Sequence, residues 1–348
     1  MCVCCAVNKM MHLCFKLFGI QKSLTVGGKI LFYTPFVRTF HANSQLKIRD
    51  SIRPRRAMLY VPGHDQKKIG KLNSINVDCA VLDCEDGVAA NMKADARRNI
   101  CEMLQTFNFG KTDCAVRINS VESGLAEEDL IAILKNNKLP DTLVVPKLDN
   151  PSQLMWLNDV LRSHLQPKKE FKMLNLLFLV ESAISLLNLR SLCAKAMELS
   201  QEGFFRLEGL IFGADDFCAD IGANRSSDSR ELVTSRQMFV IYAKAFKIQA
   251  IDMVHINYKD LDSLKKYSEE GANMGFTGKQ VIHPMQVPVV QKAFSPSEEK
   301  IEWATELIKL FKIHQSEGKG AFIFRGNVID KPLLLQAEYI IKMSDTNK

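Results

Sequence analysis

The first 49 residues contain no Asp and no Glu, although the 348-residue chain has 39 of them. That stretch carries Lys9, Lys16, Lys22, Lys29, Arg38, Lys47 and Arg49, which together equal the whole formal charge of +7. From Asp50 onward the chain is formally neutral. A nucleic-acid binder needs a basic face on its folded part to neutralise phosphates, and this distribution argues against one. Long apolar runs are also missing. A membrane span needs roughly 18 apolar residues or more, and Lys16 and Lys22 interrupt the best stretch. A secretory signal fits poorly, because Val3 to Val7 is short and the charges follow it instead of preceding it. An acid-free leader with apolar residues between basic ones has the composition of a mitochondrial transit peptide. The expectation is a leader over residues 1–40, cleaved near Phe40, unstructured chain to about residue 49, and delivery to the mitochondrial matrix.

Metal-binding cysteine pairs are absent beyond the leader. Of the ten cysteines, Cys2, Cys4, Cys5 and Cys14 fall in the leader. The remaining six, Cys79, Cys84, Cys101, Cys114, Cys193 and Cys218, form no CxxC pair and mostly sit inside apolar runs. There a cysteine behaves as a small buried hydrophobe, which fits a reduced compartment and excludes a zinc site. No internal repeat and no low-complexity segment appears.

What is present is alternation. Eight short apolar runs are separated by longer charged stretches of helical period: Met58–Pro62, Cys79–Cys84, Cys114–Asn119, Thr142–Lys147, Leu174–Glu181, Gly209–Asp215, Ala250–Ile256 and Lys279–His283. Their Val, Ile and Leu content suits strands covered on both faces. Segments such as Leu125–Asn136 and Ser152–His164 have apolar residues three or four apart, as outer helices do. Eight strand–helix units predict an α/β fold, a TIM (β/α)8 barrel over residues 50–294. From Ser295 to residue 348 the texture changes to a C-terminal extension: a helix over Ile301–His314, a glycine-bearing mobile loop over Glu317–Pro332, and a last helix. The loop, with its lone carboxylate Asp330, is a candidate lid.

Polar residues collect where the predicted strands end, the place where TIM barrels build active sites. They are Tyr60, the group Asp83, Glu85 and Asp86, then Arg117, Lys147, Glu181, Asp215 and Asp216, Asp252, and His283. Taken singly, such a residue as often caps a helix or pairs with a neighbouring charge. Eight strands all ending this way point to a shared site. Glu181 and Asp216 each follow a long apolar strand, so their burial demands compensation. One remedy is a divalent metal, magnesium or else manganese, completed by water and substrate oxygens. The other is pairing with Arg117 or Lys147. Lys67, Lys68 and Lys71 fall on one face of a helix opening near Asp65, a cationic surface suited to phosphate groups or simply a solvated face.

Five separated motifs carry a resemblance: Leu59-Tyr60-Val61-Pro62-Gly63, Leu82-Asp83-Cys84-Glu85-Asp86-Gly87-Val88, Val116-Arg117-Ile118-Asn119, Pro146-Lys147, and Gly278-Lys279-Gln280-Val281-Ile282-His283-Pro284. From about Arg55 to its C-terminus the chain resembles the citrate lyase beta-subunit and malyl-CoA lyase family. The resemblance implies a magnesium-dependent carbon–carbon lyase acting on an acyl-CoA, releasing acetyl-CoA and a keto acid such as pyruvate or glyoxylate. It further implies synthase-type transferase and thioester hydrolase side activities. Glu181 and Asp216 match the family's metal ligands, and Tyr60, Lys67, Lys71 and Arg117 match its substrate or coenzyme A contacts. Ile282 and His283 match a segment that touches substrate. Asp330 matches a catalytic aspartate on a C-terminal lid, often given to a neighbouring subunit of a homotrimer. Asp215 stands where members of the family often carry Glu. Two rival expectations are a metal-dependent aldolase on free keto acids and a subunit that works only with an acyl-carrier partner.

Overall fold

The computed structural model describes residues 53–346 apart from 169, 317, 319 and 320. The expected leader lies outside the described residues. All eight predicted strands form: β1 (Ala57–Pro62), β2 (Cys79–Asp83), β3 (Asp113–Arg117), β4 (Thr142–Val145), β5 (Leu174–Val180), β6 (Phe205–Phe212), β7 (Gln249–Asp252) and β8 (Gly278–Val281). They are parallel, run in chain order and close through the β1–β8 pairing. Helices lie between them, giving a TIM barrel with C-terminal helices.

Strand alternation decides what goes inside. In β5, Leu177 and Leu179 belong to the barrel interior together with Met58, Cys79, Val81, Ala115, Val144, Ile211 and Ile251. Leu176, Phe178 and Val180 point outward into the larger layer shared with the helices. The interior is therefore a packed core. Cys79, Cys84, Cys114, Cys193 and Cys218 are buried and unbridged, as their apolar surroundings require. Among the described residues no helix is long and apolar enough to cross a membrane.

At the N-terminal end of the barrel, fully buried Arg55 reaches Asp113 Oδ2 at 2.5 Å, Glu208 Oε2 at 2.8 Å and Thr142 Oγ1 at 3.1 Å. Strand β6 starts earlier than its apolar run suggested, because Arg206 and Glu208 interrupt the pattern. A register shift pairs Leu176 with Leu207 and Leu177 with Gly209, so Glu208 is the extra residue of a bulge. The bulge leaves its carboxylate free to neutralise Arg55.

The extension folds on a core of its own. Helices at Glu298–Ser316 and Lys331–Thr346 enclose Ala304, Leu307, Phe311, Phe324, Ile329 and Ala337. The expected mobile loop proves to hold an antiparallel hairpin, β9 (Phe322–Phe324) and β10 (Asn327–Ile329). Its two-residue turn places both Arg325 (φ 47) and Gly326 (φ 82) in the left-handed region, which matches the twist of the flanking strands. Tyr339 on the last helix lies under the Lys244 ammonium, 5.6 Å from its ring centroid. Lys244 precedes β7, and Tyr339 also shares a cavity with Pro54 and Arg55, so this helix meets the barrel at the end opposite the strand C-termini.

Candidate active site

Period-two alternation carries each strand's inward series into the mouth. Met58 is followed by Tyr60, Cys79 and Val81 by Asp83, Ala115 by Arg117, Leu177 and Leu179 by Glu181, and Ile211 by Gly213. Tyr60, Asp83, Arg117, Glu181 and Gly213 line one pocket of about 650 Å³, together with Lys68, Lys71, Asp86, Asp215, Asp216, Gln280, Ile282 and His283.

Asp83 is saturated. It accepts from the backbone N–H groups of Glu85 (2.8 Å) and Gly87 (2.9 Å). It also takes a two-pronged contact from Arg117, Nε to Oδ1 and Nη2 to Oδ2, both 2.7 Å. A Cβ on residue 87 would stand 2.6 Å from Asp83 Oδ2, so the turn requires glycine there. The Lys93 ammonium fixes the same turn by donating to the carbonyls of Cys84 and Glu85, each at 2.8 Å. The guanidinium so held lies over the Tyr60 ring, 5.0 Å from its centroid. The Tyr60 hydroxyl is buried with no hydrogen-bond partner in the protein, and burial pushes its phenol above the ordinary range.

Arg117 Nη1 lies 2.8 Å from Glu85 Oε2, and Lys147 Nζ lies 3.1 Å from Glu85 Oε1. Burial pushes the Glu85 carboxyl up to about 7, against the pull of Arg117 and with a push from Asp86. Glu181 is 5% exposed. Burial, then the charges of Glu85 and Asp216, push its carboxyl up to about 8. Its Oε2 accepts from the Lys147 N–H at 2.9 Å. A Cβ on residue 213 would sit 2.3 Å from Glu181 Cγ, so β6 passes this close only as glycine. Asp216 stands in the first turn of the helix Ala214–Asp220, where the helix dipole favours an acid.

Of the two remedies open for Glu181 and Asp216, ion pairing is not the one realised. Among the described residues no cation forms an ion pair with either, and Arg117 and Lys147 make their contacts with Asp83, Glu85 and Asp86. His283 stacks on Tyr258 with ring centroids 4.6 Å apart. Its Nδ1 accepts from the Met285 N–H at 3.2 Å, so the neutral ring carries its proton on Nε2. Ile282 is 45% exposed on the pocket wall.

Three of the expected residues stand apart from this pocket. Lys67 does not line the pocket; Lys68 does, beside Lys71. The short helix Gln66–Gly70, capped by Asp65, tightens into a 3-10 turn at Lys71–Ser74, where residues three apart eclipse. Asp252 ends a strand but faces outward, since Ile251 is the inward residue. Its Oδ2 pairs with Arg236 at 2.9 Å and Lys279 at 3.0 Å. Asp330 is exposed at the end of β10 and is not among the residues lining this pocket. The sequence placed Lys68 on the cationic face and Asp83 in the strand-end group without giving either a contact role, and it gave Gln280 none; the alternation of β2 and β8 was the available signal for Asp83 and Gln280.

Residues 56–284 match the model of the HpcH/HpaI aldolase/citrate lyase family. The chain belongs to that family. It is 50% identical over 295 residues to the human protein named mitochondrial citramalyl-CoA lyase, covering 85% of this chain and 87% of that one. It is 27% identical to citrate lyase subunit beta of Leuconostoc mesenteroides, over 85% of this chain and 95% of that one. Among solved structures, protein CitE of Mycobacterium tuberculosis in complex with magnesium, acetoacetate and coenzyme A superposes with a TM-score of 0.67 at 26% identity. The match covers 84% of this chain and all of that one.

Proposed function

We propose that this chain is a magnesium-dependent lyase that cleaves (3S)-citramalyl-CoA to acetyl-CoA and pyruvate. The observation that carries the reading is one pocket holding an unpaired carboxylate couple, Glu181 and Asp216, beside the clamped cation Arg117. Identity to the human relative over most of both chains supports the substrate.

The residues fit a magnesium ion. Among the described residues no three His, Cys, Asp or Glu side chains gather into a metal cage. Two carboxylates leave most coordination positions to water and substrate oxygens, the usual arrangement for magnesium, and manganese shares the preference for oxygen. Burial first, then the charges of Glu85 and Asp216, disfavour the Glu181 anion, and a bound cation would relieve that penalty. Magnesium held by Glu181 and Asp216 would supply Lewis acidity at the 2-hydroxy-acid half of the substrate.

The chain's own groups do the rest. As the bond between the thioester α-carbon and the carbinol carbon breaks, negative charge moves onto the thioester oxygen. Arg117, fixed by Asp83, is the cation at hand to stabilise it. Lys68 and Lys71 at the rim offer charge to the coenzyme A phosphates. Tyr60, Ile282 and His283 border the acyl portion. The carbinol hydroxyl gives up its proton as the keto acid forms, and Asp330 delivers one to the methylene carbon of the acetyl-CoA enolate, so that no proton is gained or lost overall. Because the extension meets its own barrel at the far end, the reading has Asp330 supplied to a neighbouring subunit's pocket within a homotrimer.

Run backwards with glyoxylate or pyruvate, the same groups join acetyl-CoA to a keto acid. Thioester hydrolysis then gives malate synthase, methylmalate synthase and malyl-CoA thioesterase side activities. The setting in this reading is five-carbon dicarboxylate (itaconate) breakdown in the mitochondrial matrix; the name of the human relative supports the mitochondrial part of it. Presenting free citramalate in place of its coenzyme A ester tests the substrate class. Cleavage of the thioester alone is expected; equal cleavage of the free acid means an aldolase.

A further inference from the structure

Lys147 has φ 52, in the left-handed region that side-chain-bearing residues rarely adopt. It follows β4 at the pocket mouth, and its surroundings enforce the conformation. The Gln153 side chain donates to the Lys147 carbonyl at 3.4 Å and accepts from the N–H groups of Asp149 and Asn150 at 2.8 and 3.1 Å. Ser185 Oγ donates to the next carbonyl, that of Leu148, at 2.6 Å. Strain held this firmly calls for a function.

The turn sends the two ends of Lys147 to different partners. Its backbone N–H meets Glu181 Oε2 at 2.9 Å. Its ammonium, at the end of a side chain 38% exposed, meets Glu85 Oε1 at 3.1 Å, and Glu85 Oε2 lies 2.8 Å from Arg117 Nη1. The pair is half in water: Glu85 is buried and needs the cation, while Lys147 reaches it from the rim. We propose that Lys147 is a positioning residue that joins the two halves of the site. Its backbone N–H aims the metal-side carboxylate Glu181, while its ammonium, through Glu85, holds Arg117 toward the thioester. The proposal rests on the roles given above to Glu181 and Arg117.

Three substitutions separate the two ends. Lys147→Gly keeps the left-handed turn at no steric cost and removes the ammonium. Lys147→Val removes the ammonium and disfavours the turn. Lys147→Arg keeps charge and reach. Each protein, checked for an unchanged thermal midpoint, is titrated with Mn2+ by electron paramagnetic resonance without substrate, then assayed for kcat and KM. Expected for Lys147→Gly is Mn2+ affinity within about twofold of wild type and kcat down about tenfold, the scale of coupling between contacting residues. Lys147→Val weakens Mn2+ binding about tenfold as well, and Lys147→Arg recovers part of the kcat lost in Lys147→Gly. Should Lys147→Val fail to fold, Glu85→Gln breaks the ammonium link with the turn intact. It is expected to match the kcat of Lys147→Gly, and the double variant to lose nothing more. Equal Mn2+ affinity in the Gly and Val variants overturns the backbone role. Full turnover in Lys147→Gly, or additive losses in the double variant, overturns the ammonium role. Wild-type Mn2+ binding that Glu181→Gln leaves unchanged overturns the metal reading, and the coupling with it.

Discussion

Asp83 and Arg117 face each other as two parallel hydrogen bonds of 2.7 Å, Nε to Oδ1 and Nη2 to Oδ2, with both side chains buried. Two backbone N–H groups complete the carboxylate, so it has no freedom to turn. Asp83→Asn places an amide donor against either a guanidinium or a backbone N–H. Breaking one partner of a buried pair costs about 3–5 kcal/mol. The expected result is a lowered thermal midpoint and a kcat reduced about a hundredfold, the scale of losing one oriented charge at a developing oxyanion. Calorimetry and steady-state kinetics read both.

Gly213 is expected to be irreplaceable for metal binding. Its missing Cβ is what lets Glu181 stand in the mouth, 2.3 Å from where that atom would be. Magnesium bound to the native state should raise the wild-type melting temperature, by about 2.7 kcal/mol of stabilisation at a hundred times Kd. In Gly213→Ala that magnesium-dependent rise should vanish while the metal-free protein stays folded. Thermal melts with and without magnesium decide it.

Asp330 is absent from the pocket lining of its own chain and is proposed to act on a neighbour. Asp330→Asn should keep magnesium binding and lose at least about a hundredfold in turnover, the contribution of general acid–base catalysis. Mixing it with Glu181→Gln, after dissociation and reassembly, should restore activity, because mixed assemblies contain pockets with both groups intact. Activity of the mixture no higher than that of the two variants alone would place Asp330 in its own chain's site or outside the mechanism.

Asp252 governs stability. Burial alone would raise its carboxyl, but Lys279 and Arg236 beside it hold it below the ordinary carboxylate range. A folded-state value below the unfolded one means that its contribution is present above about pH 4 and is lost as pH falls through the folded value. Asp252→Asn strands buried Lys279 and leaves Arg236 with Glu270 alone, and it should cost about 3–5 kcal/mol at neutral pH. It should also flatten the acid limb of stability against pH. Urea unfolding between pH 3 and 7 measures both effects.

The barrel was legible because its strands are short, almost wholly apolar and regularly spaced. The same alternation that hides Leu177 and Leu179 inside delivers Glu181 to the mouth. Where that pattern breaks, the reading fails. Arg206 and Glu208 mask the first half of β6, since a bulge and a buried arginine at the far end of the barrel give them a place that no local pattern announces. Lys67 and Lys68 differ by one residue, and only the tightening at Lys71 decides which one faces the pocket. Asp252 has the residue type of a site and the parity of the outer layer. The hairpin at Arg325-Gly326 was written in two short apolar runs, Phe322–Phe324 and Val328-Ile329, but Gly318 and Gly320 before it and Gly326 within it gave it the look of a loop. The left-handed turn at Lys147 left no trace in the sequence, because its cause is the set of hydrogen bonds from Gln153 and Ser185.

The most direct measurement incubates purified protein and magnesium with citramalyl-CoA and quantifies pyruvate and acetyl-CoA, with chelator and Glu181→Gln as parallel arms. The account predicts both products in equal amounts, suppressed by chelator and restored by magnesium in wild type, and absent from Glu181→Gln under every condition. Products that persist undiminished in chelator or in Glu181→Gln, or no pyruvate from the wild-type protein, would contradict it.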